Sequence, residues 1–109
     1  MIYELRKYYA AEGKLEALHS RFRDVTLAVF AKYDMKVIGF WTPETPSDET
    51  GDLIYILAFE SKEAMKNAWD AFRNDPDWVN GKEASEVNGR LVTKLTSVVM
   101  DPTDYSPMK

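Results

Sequence analysis

The chain of 109 residues carries 14 Lys and Arg against 18 Asp and Glu, a formal net charge of −4. This balance argues against a nucleic-acid-binding protein, because such proteins need a basic surface to neutralise phosphates. The absence of cysteine excludes disulfides, zinc–thiolate sites, iron–sulfur clusters and thiol nucleophiles, and a single histidine excludes a multi-histidine metal site. The length fits one domain over residues 1–109, with residues 1–100 as its core and 101–109 as a tail.

The first half of the chain predicts three strands and one long helix. Residues 2–9 (IYELRKYY) are rich in aromatic and β-branched side chains and predict a first strand. A helix over about residues 13–33 follows, because apolar residues recur there at spacings of three and four. That apolar stripe consists of Leu15, Leu18, Phe22, Val25, Val29 and Tyr33. Residues 35–42 predict a second strand, 43–52 a loop of turn formers and charges, and 53–60 a third strand.

The second half predicts two helices and a last strand. Ser61 is a good N-cap for a helix with one apolar face, because its hydroxyl can accept a hydrogen bond from an otherwise unpaired backbone N–H. Asp75 and Pro76 predict the start of a short added helix, which Asn88-Gly89 ends, and residues 91–100 predict a fourth strand. The order β-α-β-β-α-β predicts an α+β, ferredoxin-like fold, in which helices cover one face of a four-stranded antiparallel sheet.

The third strand is apolar on both of its sides. Leu53, Tyr55, Leu57 and Phe59 share one side, and Ile54, Ile56 and Ala58 share the other. An antiparallel sheet with one wet face alternates apolar and polar residues instead, and each large side chain left in water forgoes about 1.5–3 kcal/mol of burial. We therefore expect a homodimer packed sheet against sheet. The alternative is that the added helix or the tail folds across the second face.

Five short segments in order resemble the NIPSNAP family. They are Tyr3–Arg6 with Tyr8, Gly13-Lys14, Gly39–Thr42 (GFWT), Asp75–Trp78 (DPDW) and Pro102–Pro107 (PTDYSP). The resemblance implies a dimeric α/β barrel built from two ferredoxin-like protomers. Relatives in that superfamily include small monooxygenases, haem-degrading enzymes and isomerases, whereas NIPSNAP members mostly lack an assigned reaction. Family members often carry histidine and tryptophan where this chain has Tyr55 and Leu57, so histidine-based chemistry does not carry over to those positions.

Four residues form the candidate ligand site. Glu4 and Arg6 lie on one face of the first strand, since side chains two apart point the same way. We expect them to line a partly dry cavity on the sheet face away from the helices, together with the aromatic rings of Trp41 and Tyr55. A salt bridge that fixes dimer register, with plain core packing of the two rings, is the alternative. His19 is a secondary candidate, and its alternative is a boundary histidine with one hydrogen bond.

No cofactor is expected. The carboxylates lack the spacing of a metal-binding loop, no glycine-rich phosphate loop is present, and the histidine that haem-degrading relatives use near the second helix is missing. No stretch approaches the roughly 20 apolar residues of a membrane span, and the first residues lack a leader pattern, so we expect no membrane partner and a cytoplasmic location.

Three functions remain open from the sequence. The first is a dimer that binds a small molecule, either beneath the helices or inside the barrel, and that acts as a cofactor-independent monooxygenase or isomerase. The second is a non-catalytic binding or scaffold dimer that acts through protein partners. The third is a structural dimer without a ligand. A concave pocket with converging polar groups favours the first, and an interior filled by side chains favours a scaffold.

Overall fold

The computed structural model describes residues 1–109 and contains one sheet with helices on a single face. The elements are β1 (Ile2–Ala10), α1 (Leu15–Arg21), a π-helical turn (Phe22–Thr26), α2 (Leu27–Lys32), β2 (Lys36–Trp41), β3 (Leu53–Phe59), α3 (Lys62–Asn74), α4 (Pro76–Ser85) and β4 (Val92–Met100). The strand order is β2-β3-β1-β4, and every neighbouring pair is antiparallel. The predicted ferredoxin-like α+β fold is confirmed. No helix is both long and apolar enough to cross a membrane.

The predicted first helix is interrupted by the π-helical turn. The Leu27 N–H donates to the Phe22 carbonyl, five residues back, and the Thr26 hydroxyl donates to the Arg21 carbonyl over 3.3 Å. The wider turn rotates the helix about its axis, so the regular apolar stripe no longer describes its buried side. Thr26 and Phe30, outside the stripe, are buried, whereas Val25 of the stripe is only half-buried.

Both predicted helix caps are confirmed. The Ser61 hydroxyl accepts the Ala64 N–H over 3.1 Å, and an Asp75 carboxylate oxygen accepts the N–H groups of Asp77 and Trp78. These bonds satisfy donors that have no partner within the helix. The helix that Asp75 caps, α4, packs beside the π-helical turn.

The two faces of the sheet differ in their cover. Leu53, Tyr55, Leu57 and Phe59 face the helices, and none is more than 4% exposed. On the opposite, helix-free face, the C-terminal tail lies against one end, where Pro102 and Met108 approach Tyr3 and Ile56. The tail therefore covers part of this face, as the sequence alternative allowed. The rest is uncovered, with Trp41 50% and Val98 52% exposed.

Candidate functional site

The largest cavity lies between the sheet and the helices. Its volume is about 550 Å³, and its walls come from β1, β4, the helices α1 to α4 with the π-helical turn, and the loop before β4. Leu95 of the edge strand β4 lines it and is 46% exposed, so the cavity opens to solvent along that strand. This is the converging pocket that the ligand-binding alternative requires.

Arg6 projects from β1 into this cavity and is held from three directions. Its Nη1 donates to Glu4 Oε2 over 2.9 Å, its Nη2 to the Tyr8 hydroxyl over 3.2 Å, and its Nε to the Tyr55 hydroxyl over 2.9 Å. The guanidinium carbon also lies 4.2 Å from the centroid of the Trp69 ring, within the range of a cation–π contact. Three hydrogen bonds and a stacked ring fix the orientation of this cation.

Glu4 is the anion that balances Arg6. It is 3% exposed and accepts hydrogen bonds from Trp69 Nε1 over 2.7 Å and from the Ser97 hydroxyl over 2.6 Å, besides the bond from Arg6. The carboxylate thus ties β1 to α3 and to β4. A buried charge persists only when it is paired and hydrogen-bonded in this way.

Some donors of this cluster have no acceptor within the protein. A guanidinium carries five N–H groups, and Arg6 uses three, which leaves one on Nη1 and one on Nη2. The Tyr55 hydroxyl is fully buried and already accepts from Arg6, so its own proton can go only to the Tyr8 oxygen, 2.9 Å away. The Tyr8 oxygen then accepts twice and its own proton is free. Two N–H groups of Arg6 and the Tyr8 O–H therefore remain for a molecule in the cavity.

The protonation states of the cluster favour donation. Burial opposes the charge on Arg6, but Tyr55, Tyr8 and Glu4 outweigh it, and the pKa of Arg6 lies above its usual value. Burial, together with the neighbouring Tyr8, raises the pKa of Tyr55 well above its usual range. At neutral pH the guanidinium is charged and the Tyr55 phenol is protonated.

The structure corrects the predicted face of the site. Glu4, Arg6 and Tyr55 do come together, but they face the helices, so the prediction that they lie on the helix-free face is wrong. In the register of β1 with β3, Glu4 lies opposite Leu57 and Arg6 opposite Tyr55, and directly opposed residues share a face. The helix layer accepts the charged pair because the Trp69 indole supplies a hydrogen bond there.

Trp41 and His19 lie apart from this cluster. Trp41 lies opposite Ile54, and its ring covers Gly39, where a Cβ atom would come within 2.7 Å of the ring. With His19 it lines a second cavity of about 320 Å³ beside β2. The four predicted residues thus divide into one cluster of three and a separate tryptophan.

Three further residues, which are not among the predicted site residues, line the main cavity. Trp69 donates a hydrogen bond to Glu4, and the Trp78 ring lies 5.2 Å from the Arg21 guanidinium. Arg21 is 6% exposed; its Nη1 donates to Ser85 and Glu86, and its buried Nε has no acceptor. The available signal is chemical, since a buried indole N–H needs an acceptor.

The NIPSNAP family model matches residues 3–107, nearly the whole chain. The chain belongs to the NIPSNAP family. The resemblance carried by the five sequence segments is confirmed. No curated protein sequence matches this chain.

Solved structures of other NIPSNAP proteins share this fold. A NIPSNAP family protein from Agrobacterium tumefaciens is 20% identical, with a TM-score of 0.84 over 99% of this chain and 98% of the other. An uncharacterized NIPSNAP domain protein from Burkholderia xenovorans is also 20% identical, with a TM-score of 0.81 over 98% of this chain and 99% of the other. A second Agrobacterium tumefaciens protein, described as a NIPSNAP family protein with unknown function, is 20% identical. Its TM-score is 0.82 over 100% of this chain and 94% of the other.

At this level of identity the NIPSNAP relatives show the fold alone. No group of three or more metal-binding side chains lies in a position to hold a metal ion. The features available for chemistry are the Arg6 cluster, the aromatic walls and the cations around them.

Proposed function

We propose that this NIPSNAP protein binds a small organic molecule in the cavity between its sheet and its helices. The observation that carries the proposal is the set of unused donors on Arg6 and Tyr8, which face a cavity of about 550 Å³ with aromatic walls. Ligand pockets combine an apolar lining with a few fixed polar groups in this way.

The same donors define the chemistry that the site could support. N–H and O–H groups that are held in fixed positions can stabilise an oxyanion as it forms. Glu4 already accepts three hydrogen bonds, so it is a poor general base. The reaction class that we propose is a cofactor-independent oxygenation, with O2 as the oxidant, or an isomerisation. In either reaction the donors would hold the developing oxyanion, and water rather than Glu4 would take the proton from the substrate.

A metabolite screen by thermal shift tests the binding proposal. At least one compound should raise the melting temperature of the wild-type protein, and the shift should fall strongly in Arg6→Lys, which keeps the charge beside Glu4 but loses two of the five donors. Arg23→Lys is the matched control, because Arg23 is exposed and does not line the main cavity.

Two results would contradict the proposal. One is a screen without any stabilising compound, which favours the alternative of a non-catalytic dimer that acts through protein partners. The other is a stabilising compound whose shift is equal in the wild type and in Arg6→Lys, which would place the ligand elsewhere.

We also propose that the protein is a homodimer that forms through the helix-free face of the sheet, in the cytoplasm. The exposed Trp41 and Val98 on this face, beside half-buried Leu5, Ile54 and Ile56, support the dimer. Apolar side chains grouped on one face in this way mark an interaction surface.

A further inference from the structure

The main cavity is strongly cationic, although the chain as a whole is acidic. Six of the 14 Lys and Arg side chains line it: Arg6, Arg21, Arg73, Lys82, Arg90 and Lys94. Only three carboxylates pair with members of this set, namely Glu4, Asp70 and Glu86. Arg90 and Lys94 are in no ion pair. The surplus of positive charge gathers around one cavity of a protein whose net charge is −4.

Arg21 adds a buried donor without an acceptor. Its side chain is 95% buried, since 5% is exposed, and its Nε atom has no hydrogen-bond partner. Its one anionic neighbour, Glu86, lies 3.4 Å away and is shared with Lys82 at 3.0 Å. A buried N–H without an acceptor is costly. Nε itself is closed off from the cavity, but Nη2 of the same guanidinium is in no hydrogen bond, and Arg21 lines the cavity, so this donor is available to a ligand oxygen there.

The walls of the cavity fix the shape of the rest of the ligand. Phe22, Phe30, Trp69, Phe72 and Trp78 line it. Aromatic rings pack best against flat apolar groups. Inorganic anions would leave these walls in contact with water, so the favoured occupant carries an apolar body as well as a charge.

We propose that the cavity binds an organic carboxylate on a flat, aromatic-sized apolar body, with its oxygens held by Arg6, Tyr8 and Arg21. This inference rests on the proposed function and narrows it to one ligand class. Every unused polar group in the set is a donor, which selects acceptor oxygens, and guanidinium groups bind carboxylates through charge-assisted hydrogen bonds. Neutral amides of the same shape replace one oxygen by a donor and lose the charge.

Paired probes test the ligand class. We would titrate 2-naphthoate and 2-naphthamide into the wild-type protein and measure affinity by calorimetry and by ligand-observed NMR. The acid should bind more tightly than the amide by about tenfold or more. Its affinity should also fall as sodium chloride is raised, because added salt screens the cationic lining.

A matched pair of variants tests whether the positive charge of Arg21 contributes to ligand binding. Arg21→Gln should weaken 2-naphthoate binding by roughly fivefold or more, whereas Arg23→Gln, two residues along and outside the cavity, should change it less than about twofold. Both variants lose one positive charge, so a general electrostatic effect would move them equally. Circular dichroism and the melting temperature show whether each variant is folded. The salt dependence of the wild type remains as a second test if Arg21→Gln unfolds.

The outcomes separate this inference from the proposed function. Equal binding of acid and amide, or a thermal-shift screen that yields only neutral ligands, overturns the carboxylate class and leaves ligand binding intact. Failure of all one- to three-ring aromatic acids to bind also overturns the inference. Absence of any ligand in the wider screen overturns the proposed function itself.

Discussion

At the scale of single residues, the site depends on a buried ion pair that the surrounding elements complete. Glu4 and Arg6 are adjacent on one face of β1, which brings them within 2.9 Å. The pair tolerates burial because Trp69 and Ser97 donate to the carboxylate while Tyr8 and Tyr55 accept from the guanidinium. A change that leaves one of these charges unpaired should therefore cost far more than loss of a single neutral hydrogen bond.

Glu4→Gln should lower the free energy of unfolding by about 3 kcal/mol, because it removes one partner of a buried ion pair and leaves Arg6 uncompensated. Ser97→Ala removes one donor to the same carboxylate and should cost about 1 kcal/mol. Urea unfolding followed by circular dichroism measures both values. If the two variants lost the same free energy of unfolding, the charge of Glu4 would not be important for stability.

Because of Asp75, we expect the stability of the folded protein to decrease at acidic pH. Hydrogen bonds from Lys32 Nζ over 2.7 Å and from the Tyr33 hydroxyl over 2.6 Å lower the pKa of Asp75 to about 2, against an ordinary value of 3.8. As the pH falls below about 4, the unfolded chain takes up the proton first, so the stability from this carboxylate is lost between about pH 4 and pH 2.

Asp75→Asn should therefore be less stable than wild type at pH 7 but should show a shallower loss between pH 4 and pH 2. Asparagine still caps α4 through its Oδ1, so the variant keeps the cap while it removes the charge and the hydrogen bonds that Oδ2 accepts. Asp77→Asn is the control, because that carboxylate also contacts Lys32 but is 73% exposed. Urea unfolding at several pH values checks this, and parallel curves for wild type and Asp75→Asn would contradict it.

At the scale of elements, the contact between α4 and the π-helical turn shapes one wall of the cavity. A Cβ atom at Gly81 would lie 2.6 Å from Val25 Cγ1 and 3.0 Å from Cγ2. Glycine is a poor helix former, and its place inside α4 follows from this close approach. The contact holds α4, with Trp78 and Lys82, beside Arg21.

Gly81→Ala should destabilise the protein by about 1–3 kcal/mol, although alanine favours helices, because Val25 has a stiff β-branched side chain that cannot move aside. In a Val25→Ala background the same substitution should become neutral or stabilising. Thermal and urea unfolding of the four proteins in this cycle measure the coupling. An additive cycle would show that α4 and the π-helical turn do not meet at this point.

At the scale of the whole molecule, the sheet has strands that are apolar on both sides, although helices cover only one of its faces. The tail covers the end near Tyr3, and the rest of the face exposes Trp41 and Val98. Sheets with two apolar faces need cover on both. The proposed homodimer supplies that cover with a second copy of the same face.

Val98→Lys should convert the protein to a monomer or lower its melting temperature strongly, because it places a charge in the proposed interface. Val87→Lys is the matched control, since Val87 is 77% exposed and lies outside the sheet. Light scattering coupled to size exclusion should give twice the 12.5 kDa chain mass for wild type and Val87→Lys. The wild-type melting temperature should also rise with protein concentration.

A wild-type mass of 12.5 kDa at micromolar concentration would contradict the dimer. Equal behaviour of Val98→Lys and Val87→Lys would show that the helix-free face is not the interface, because exposed single substitutions change monomer stability by about 0.5 kcal/mol or less.

The sequence by itself determined the order of the elements, both helix caps and the family. These features depend on local patterns: alternation in strands, spacings of three and four in helices, and Ser61 and Asp75 before their helices. It also placed Glu4 and Arg6 on one face of β1, because strand periodicity fixes that relation. The choice between the two faces of the sheet depended on tertiary structure, since β3 is apolar on both sides and each face of β1 mixes apolar and charged residues.

Only the tertiary structure decided what surrounds the charged pair. Trp69 and Ser97 lie 65 and 93 residues from Glu4 along the chain, and no local pattern links residues so far apart. The π-helical turn shifted the buried side of the first helix, and Arg21, directly before that turn, lines the cavity. Trp41 was separated from the cluster because β2 contains a register shift between Val37 and Gly39, and such a shift exchanges the faces of the residues that follow it.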